Sequence, residues 1–258
     1  MQTQPPSNTG ANPNDGEEGE LSKVQLLERR LAAEIERARE ELERFTKNDQ
    51  SYRRKDTVEV VTDVMRRIKE AATEANQQSE EVRERLYYLI YNSTIIIFKA
   101  CHQLRAANFS REATHFLAFN VLCLDNNLIL TTTKYLDWRV LNYVELARAY
   151  ADFGALKAAT KVISYGIGKV LYTKQVEEQD PPVPEGTKDT LIDALRVLRT
   201  QELKYELQSG ALSPEAWRKK LEETFANNKY HRSLAIVESL QTNEPFSTSA
   251  STRESKVG

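Results

Sequence analysis

Apolar residues recur at helical spacing over most of the chain between residues 21 and 241. In the first such segment they follow a seven-residue period interrupted by Glu28, at Leu21, Val24, Leu31, Ile35, Ala38, Leu42 and Phe45. Glu and Arg fill most of the remaining positions, so the segment predicts a solvated helix with one narrow apolar seam. Such a helix can form a short coiled coil or dock on its own chain. The pattern leaves both alternatives open.

A second periodic segment, from about Asp56 to Gln77, repeats its Val, Ile and Ala residues every three or four positions and predicts a more deeply buried helix. It is followed by the most apolar stretch, YLIYNSTIIIFKACHQL, from Tyr88 to Leu104. The β-branched centre of this stretch is typical of a strand, but the preceding SEEVRER has the character of a helix N-terminus. The uncharged run from Leu86 to Phe98 is shorter than the roughly 18 to 20 residues of a membrane span. We therefore expect one long helix over residues 79–107, buried between neighbours, in which Ile96 and either Phe98 or Tyr91 are well shielded from solvent.

The next segments alternate helical patterns with short breaks, which is the signature of helical hairpins. A helix containing Ala113 is followed by a long helix from Leu128 to Phe153, which Gly154 ends, and by a partner helix containing Ala159. The segments around Ala113 and Ala159 align with each other, and NNKYHRSLAIVESL is a fainter third copy. The sequence predicts an all-α fold: an irregular helical-hairpin, tetratricopeptide-like array with an N-terminal amphipathic or coiled-coil helix.

Six parts of the chain can be distinguished from composition and periodicity. Polar, Pro-rich or charged ends and a run with three prolines in four positions predict disordered tails and a linker. The predicted parts are a tail at 1–20, charged helices at 21–78, two hairpins at 79–178, a Pro-rich linker at 179–188, C-terminal helices at 189–241 and a tail at 242–258.

Charge and cysteine content argue against a nucleic-acid-binding protein and against a secreted protein. The chain has 36 basic and 38 acidic residues, so its net charge of -2 gives no reason to expect a nucleic-acid partner. Cys101 and Cys123 lack metal-motif spacing, and the polar N-terminus has no signal-peptide core, which favours a reduced intracellular compartment. No membrane insertion is expected.

Candidate chemistry is sparse. The segment around Gly166, Gly168 and Lys169 lacks the glycine spacing and the following Ser or Thr of a phosphate loop. The three histidines are far apart and belong to no metal-binding motif. Trp138 and Tyr143 could line a small-molecule pocket, but aromatic residues at helical spacing are typical of a hairpin core. We expect no catalytic, cofactor-binding or metal-binding residues and no cofactor, so the protein is not expected to be an enzyme.

Several segments together resemble a known family. LIYNSTIIIFKACHQLRAANFSREATHFLAF and TTKYLDWRVLNYVELARAYADFGA, with Tyr135, Trp138 and Arg139, resemble the N-terminal helical region of the cilia- and flagella-associated protein 54 family. The similarity continues through KAATKVISYGIGKVLYTKQVEE and LSPEAWRKKLEETFANNKYHRSLAIVESLQ, and so spans roughly residues 80–241. Members of that family are very long chains, and this chain resembles only their beginning.

The resemblance implies a non-catalytic scaffold of the central-pair projections of the motile axoneme, required for assembly and motility. It implies a ciliary or flagellar location, otherwise cytoplasmic, with other central-pair projection proteins as partners and tubulin as an indirect one. The alternatives are a cytoplasmic helical-repeat adaptor unrelated to cilia and a small enzyme around Trp138 and Tyr143. From the apolar seam, the candidate partner-binding residues are Leu31, Ile35 and Leu42.

Overall fold

Helices make up nearly the whole described part of the chain. A computed structural model describes residues 14–49, 52, 54–179, 186–226 and 228–241, with side chains from residue 23 onward. Within these ranges there is no strand, and a 3-10 turn at Thr133–Tyr135 joins two of the helices. The α-helices are α1 Asn14–Asn48, α2 Lys55–Asn76, α3 Glu80–Arg85, α4 Tyr87–Ala106, α5 Ser110–Asp125, α6 Leu136–Asp152, α7 Leu156–Gln179, α8 Thr187–Gln208, α9 Pro214–Thr224 and α10 Lys229–Leu240.

Consecutive helices pack side by side as hairpins, which confirms the all-α helical-hairpin prediction. Helix α1 pairs with α2, α4 with α5, and α6 with α7, while α2 against α4, α5 against α6 and α7 against α8 join the pairs into one array. Helices α9 and α10 pack on α8. None of the helices in the described ranges combines the length and apolar character that a membrane crossing requires.

The apolar stretch forms a central helix, as predicted, but with a break and a different buried face. The backbone departs from helical geometry at Leu86, so the polar turn α3, which has no buried residue, is separate from α4. In α4 the side chains of Ile90, Ile97 and Leu104 are fully buried. Ile96, Phe98 and Tyr91 are only half-buried, so the expectation that Ile96 and one of the other two are well shielded is wrong. The fully buried position is the next one, Ile97.

The predicted helix from Leu128 to Phe153 is also wrong at its beginning. After α5 the chain turns, and the side-chain Oδ1 of Asn127 accepts hydrogen bonds from the backbone N–H groups of Ile129 (3.1 Å) and Leu130 (3.3 Å). An Asn side chain that bonds the backbone in this way competes with helix formation. Helix α6 therefore begins only at Leu136.

Other details agree with the sequence pattern. Ala113 and Ala159, predicted at tight helix crossings, are fully buried. Gly154 ends the α6 segment with a φ of +81°, a conformation that suits glycine. Ser213 caps α9 by accepting a hydrogen bond from the N–H of Ala216 at 3.2 Å.

The predicted ends and linker are only partly described. Helix α1 begins at Asn14, inside the predicted tail 1–20, whereas residues 1–13 lie outside the described residues. The predicted linker at 179–188 overlaps the last residue of α7, Gln179, and the first residues of α8, which begins at Thr187; residues 180–185 lie outside the described residues. The predicted tail at 242–258 lies outside them as well.

Candidate interaction surfaces

The seam of α1 faces the chain's own helices. Leu31 and Ile35 pack in an apolar cluster with residues of α2 and α4, and Leu42 packs in the neighbouring cluster. All three side chains are at most 6% exposed. Ion pairs on the surface of the hairpin, Arg30 with Glu74 and Arg67 with Glu41, also join α1 to α2.

Glu28, the polar interruption of the seam, has a partner. Its Oε1 accepts a hydrogen bond from the hydroxyl of Tyr88 at 2.7 Å. Burial and this carboxylate together raise the pKa of Tyr88 to about 12, so the hydroxyl remains a donor at neutral pH. Glu28 thus connects α1 to the start of α4. Of the two alternatives for α1, the structure of the single chain shows the helix docked on its own chain.

This geometry bears directly on the candidate partner-binding residues Leu31, Ile35 and Leu42. All three lie in the intramolecular core, where a partner could reach them only if α1 left α2 and α4. A role in partner binding stays a prediction for them. Leu26, which is not a seam residue, is 64% exposed on the same helix.

The aromatic residues of YLIYNST and KYLDWR meet between α4 and α6. The indole N–H of Trp138 donates to Oγ1 of Thr94 at 3.0 Å, and its ring lies 4.9 Å from that of Phe98. The rings of Tyr91 and Tyr135 lie 5.1 Å apart in an edge-to-face arrangement. Such contacts orient two helices more specifically than aliphatic packing does.

Two buried asparagines extend this contact to α5. Nδ2 of Asn120 donates both to the carbonyl oxygen of Thr94 at 2.9 Å and to Oδ1 of Asn142 at 3.1 Å. Asn142 in turn donates to the carbonyl oxygen of Trp138 at 2.8 Å. Since both asparagine side chains are fully buried, these hydrogen bonds fix α4, α5 and α6 relative to one another.

Arg139 forms a buried ion pair next to this aromatic contact. Its guanidinium lies 3.0 Å from Oδ1 of Asp125, and both side chains are 1% exposed. It also donates to the carbonyl oxygen of Thr131 at 2.9 Å and to Oγ1 of Thr173 at 3.1 Å. One side chain on α6 therefore holds the end of α5, the turn after it and α7.

Tyr143 completes the same cluster. Its hydroxyl donates to Oδ1 of Asp125 at 2.6 Å, and burial raises the pKa of Tyr143 so that the hydroxyl stays protonated. Its ring lies against the backbone of Gly166, where an added Cβ would stand 2.8 Å from Cδ2 of the ring. Gly166 is thus a site of close helix contact inside α7, which is consistent with rejecting the phosphate-loop interpretation.

These contacts involve Trp138 and Tyr143, the two residues that could have lined a small-molecule pocket in an enzyme. Tyr143 is fully buried, and its polar partners bond one another. Trp138 is half-buried between Tyr91 and Phe98. Across the described ranges no group of three His, Cys, Asp or Glu side chains has a geometry that could hold a metal ion.

A second polar cluster joins α4 to the C-terminal half of α6. Arg105 donates to Oε1 of Glu145 at 2.6 Å and to Oδ2 of Asp152 at 2.8 Å. Ser110, the first residue of α5, donates to the same Asp152 oxygen at 2.6 Å. The two clusters together connect the α4–α5 hairpin to α6, one at each end of α6.

Other parts of the surface remain open. Helix α10 exposes the apolar side chains Tyr230, Leu234, Ile236, Val237 and Leu240. A groove between α6, α8 and α10 is lined by residues of both charge signs, including Asp137, Asp193, Arg148 and Arg196. A second groove, on the outer side of α5, is lined by cationic and aromatic residues, among them Lys69, Arg111, Phe119 and Phe153. Sequence reasoning did not identify either groove, because each combines residues from separate helices.

We expect opposite effects from the same substitution at two glycines of α7. Gly166→Ala should lower the free energy of unfolding by about 1 to 3 kcal/mol, because the new methyl group overlaps the Tyr143 ring. Gly168→Ala meets open space and should raise it by up to about 1 kcal/mol, since Ala favours the helix. Urea unfolding of both variants measures the difference, and a stabilised Gly166→Ala protein would contradict the close contact.

The seam of α1 can be tested by placing charges in it. The double variant Ile35→Asp and Leu42→Asp buries two unpaired carboxylates and should lower the melting temperature by several degrees. The matched variant Gln25→Asp and Ala33→Asp, which places the same two charges on the exposed side of α1, should melt close to the parent. If the seam variant also melts like the parent but loses partners on co-purification, the seam is a partner site instead.

Comparisons with known proteins agree with the sequence pattern. The family model described as cilia- and flagella-associated protein 54 matches residues 39–191, from the second half of α1 into α8. The protein of that name from Chlamydomonas reinhardtii is 26% identical over 129 residues, which cover 50% of this chain and 4% of the relative. Those from Mus musculus and Homo sapiens are each 29% identical over 70 residues, 27% of this chain and 2% of the relative. Since the family match covers more than half of the chain, the chain belongs to the cilia- and flagella-associated protein 54 family.

Proposed function

We propose that this protein is a non-catalytic structural scaffold of the motile-cilium axoneme, and a component of a central-apparatus projection. Membership of its family makes it a cilia- and flagella-associated protein. The scaffold role and the central-apparatus location go beyond that membership. The scaffold role is supported by how the residues that carry the resemblance are used in the fold, and the central-apparatus location is what the family resemblance implies.

The observation that carries the proposal is the contact between the two motifs. Thr94 and Trp138 bond each other, and Arg139 bonds three neighbouring segments. In an enzyme, the distinctive polar residues would converge on an open pocket where a reacting atom could sit. Here they converge on the interior and are used to fix helix positions. These residues make the fold rigid, and a rigid fold suits a scaffold that holds other proteins at fixed positions.

The array also offers surfaces for assembly. Helix α10 exposes apolar side chains, and grooves lie on two sides of the array. In our proposal the partners are other central-pair projection proteins, with tubulin contacted only indirectly. Assembly and motility of the cilium would then depend on the array as a spacer of fixed shape. The alternative is a helical-repeat adaptor in the cytoplasm, which would use the same surfaces for unrelated partners.

Localisation in a ciliated cell distinguishes the two functions. A tagged chain should remain with axonemes after detergent removes the ciliary membrane, and should be depleted from axonemes that lack the central pair. Gly166→Ala should reduce the bound amount by weakening the fold, while Gly168→Ala serves as its matched control. A tagged chain that is folded but stays in the cytosol would favour the adaptor and contradict the axonemal scaffold.

A further inference from the structure

The groove on the outer side of α5 combines cations with exposed apolar surface. It lies between α2, α5 and the C-terminal end of α6 and has a volume of about 690 Å³. The residues that matter here are Lys69, Arg111, His115, Phe119, Leu122 and Phe153. We refer to it as the α5 groove. No Asp or Glu is among the described residues that line it.

The two strong cations of the α5 groove are available to a ligand. Within the described part of the chain, neither Lys69 nor Arg111 forms an ion pair. Lys69 Nζ lies 5.5 Å from the centre of the Phe119 ring, and Arg111 Cζ lies 5.5 Å from that of Phe153. A cation over a ring keeps its stem in place while its polar hydrogens can still bond an anion. By contrast, Arg66 one turn away is paired with Asp63 at 2.5 Å.

The floor of the α5 groove is apolar. Phe119 and Phe153 are half-buried, and Leu122 is 54% exposed at one end. With a cation over each ring, the remaining surface of the rings and Leu122 is apolar surface that a bulky apolar side chain can cover. A ligand that fits must join negative charge to apolar surface, which a free inorganic anion does not do.

A histidine of the groove reports the local electrostatic field. Desolvation lowers the pKa of His115, and the nearby charges of Lys69 and Arg66 lower it further, while Glu112 acts in the opposite direction. The cations thus outweigh the nearby carboxylate at this point. The groove between α6, α8 and α10 differs, because its lining includes Asp137, Asp193 and Glu238 beside its arginines.

We infer that the α5 groove binds an acidic peptide segment of a partner protein, with carboxylates on Lys69 and Arg111 and a bulky apolar side chain on Phe119 and Leu122. Charge complementarity selects the acidic peptide. A nucleic acid would need a longer basic track, since each neutralised phosphate contributes only part of the affinity. The inference identifies the chemistry of one partner of the proposed scaffold and does not depend on where in the cell that partner lies.

Binding can be measured by fluorescence anisotropy on the full chain. The probe is a labelled 12-residue peptide in which glutamates surround two leucines, and its control replaces every Glu with Gln. We expect the Glu peptide to bind at least tenfold more tightly than the Gln peptide. We also expect the binding to weaken as salt is raised from 50 to 300 mM, because the contacts are ionic.

Variants of matched charge place the site. Lys69→Glu with Arg111→Glu should weaken binding of the Glu peptide at least tenfold, and Leu122→Ala should weaken it several-fold. The control, Lys188→Glu with Arg218→Glu, changes two exposed cations elsewhere and gives the chain the same net charge. Its binding should match that of the parent.

Folding of the variants is checked by circular-dichroism melting. Unchanged melting of the groove variants shows that a loss of binding is not caused by a loss of folding. Should melting change, Lys69→Gln with Arg111→Gln replaces the charge-reversal variant.

Three outcomes would overturn the inference. The first is the absence of binding by the parent chain, and the second is equal loss of binding in the groove variant and its matched control. The third is tighter binding of a single-stranded oligonucleotide than of the Glu peptide, lost with the same two cations. Because the assay uses the isolated chain, failure here leaves the axonemal localisation test unaffected. A cytosolic location likewise leaves the peptide assay valid.

Discussion

The ion pair between Arg139 and Asp125 is the constraint on which much of the array depends. Both groups are removed from water, and a buried charge without its partner costs several kcal/mol. Arg139 therefore makes all of its hydrogen bonds only when α5, the turn at Thr131, α6 and α7 are all in place. The Trp138 contact with Thr94 lies one residue away and fixes α4 to the same point of α6. Polar contacts that require a specific geometry thus position four helices, and the apolar clusters pack around these contacts.

Much of the helical architecture was predictable because helix formation leaves a local signal. Periodic apolar residues located most of the helices, and Gly154 and Ser213 located two of their ends. The turn after α5 was missed because the side chain of Asn127 decides it, and that interaction has no periodic signature. The partners of Arg139 could not be predicted, since they come from segments up to 34 residues away. The α5 groove was missed for the same reason, because its cations come from two different helices.

The structure also distinguishes residues that orient helices in the interior from residues on the open surface, which the sequence alone could not do. Among the residues that carry the family resemblance, Tyr91, Tyr135, Trp138 and Asn142 are interior or half-buried, where they orient helices, whereas Asn92 is exposed. Leu31, Ile35 and Leu42, expected at a partner interface, are interior as well. Open surface is provided instead by α10 and by the grooves. A helical array built in this way can vary its exposed faces while its interior contacts preserve the spacing between them.

The free energy of unfolding of Arg139→Ala measures directly how much the stability of the array depends on the buried ion pair. This variant leaves Asp125 buried without its cation and removes the contacts to Thr131 and Thr173. We predict a loss of about 3 to 5 kcal/mol relative to the parent chain, measured by urea unfolding. We also predict that adding Asp125→Asn recovers part of this loss, because the unpaired charge is then removed. A loss below about 1 kcal/mol for Arg139→Ala, with no effect of the second substitution, would contradict the account.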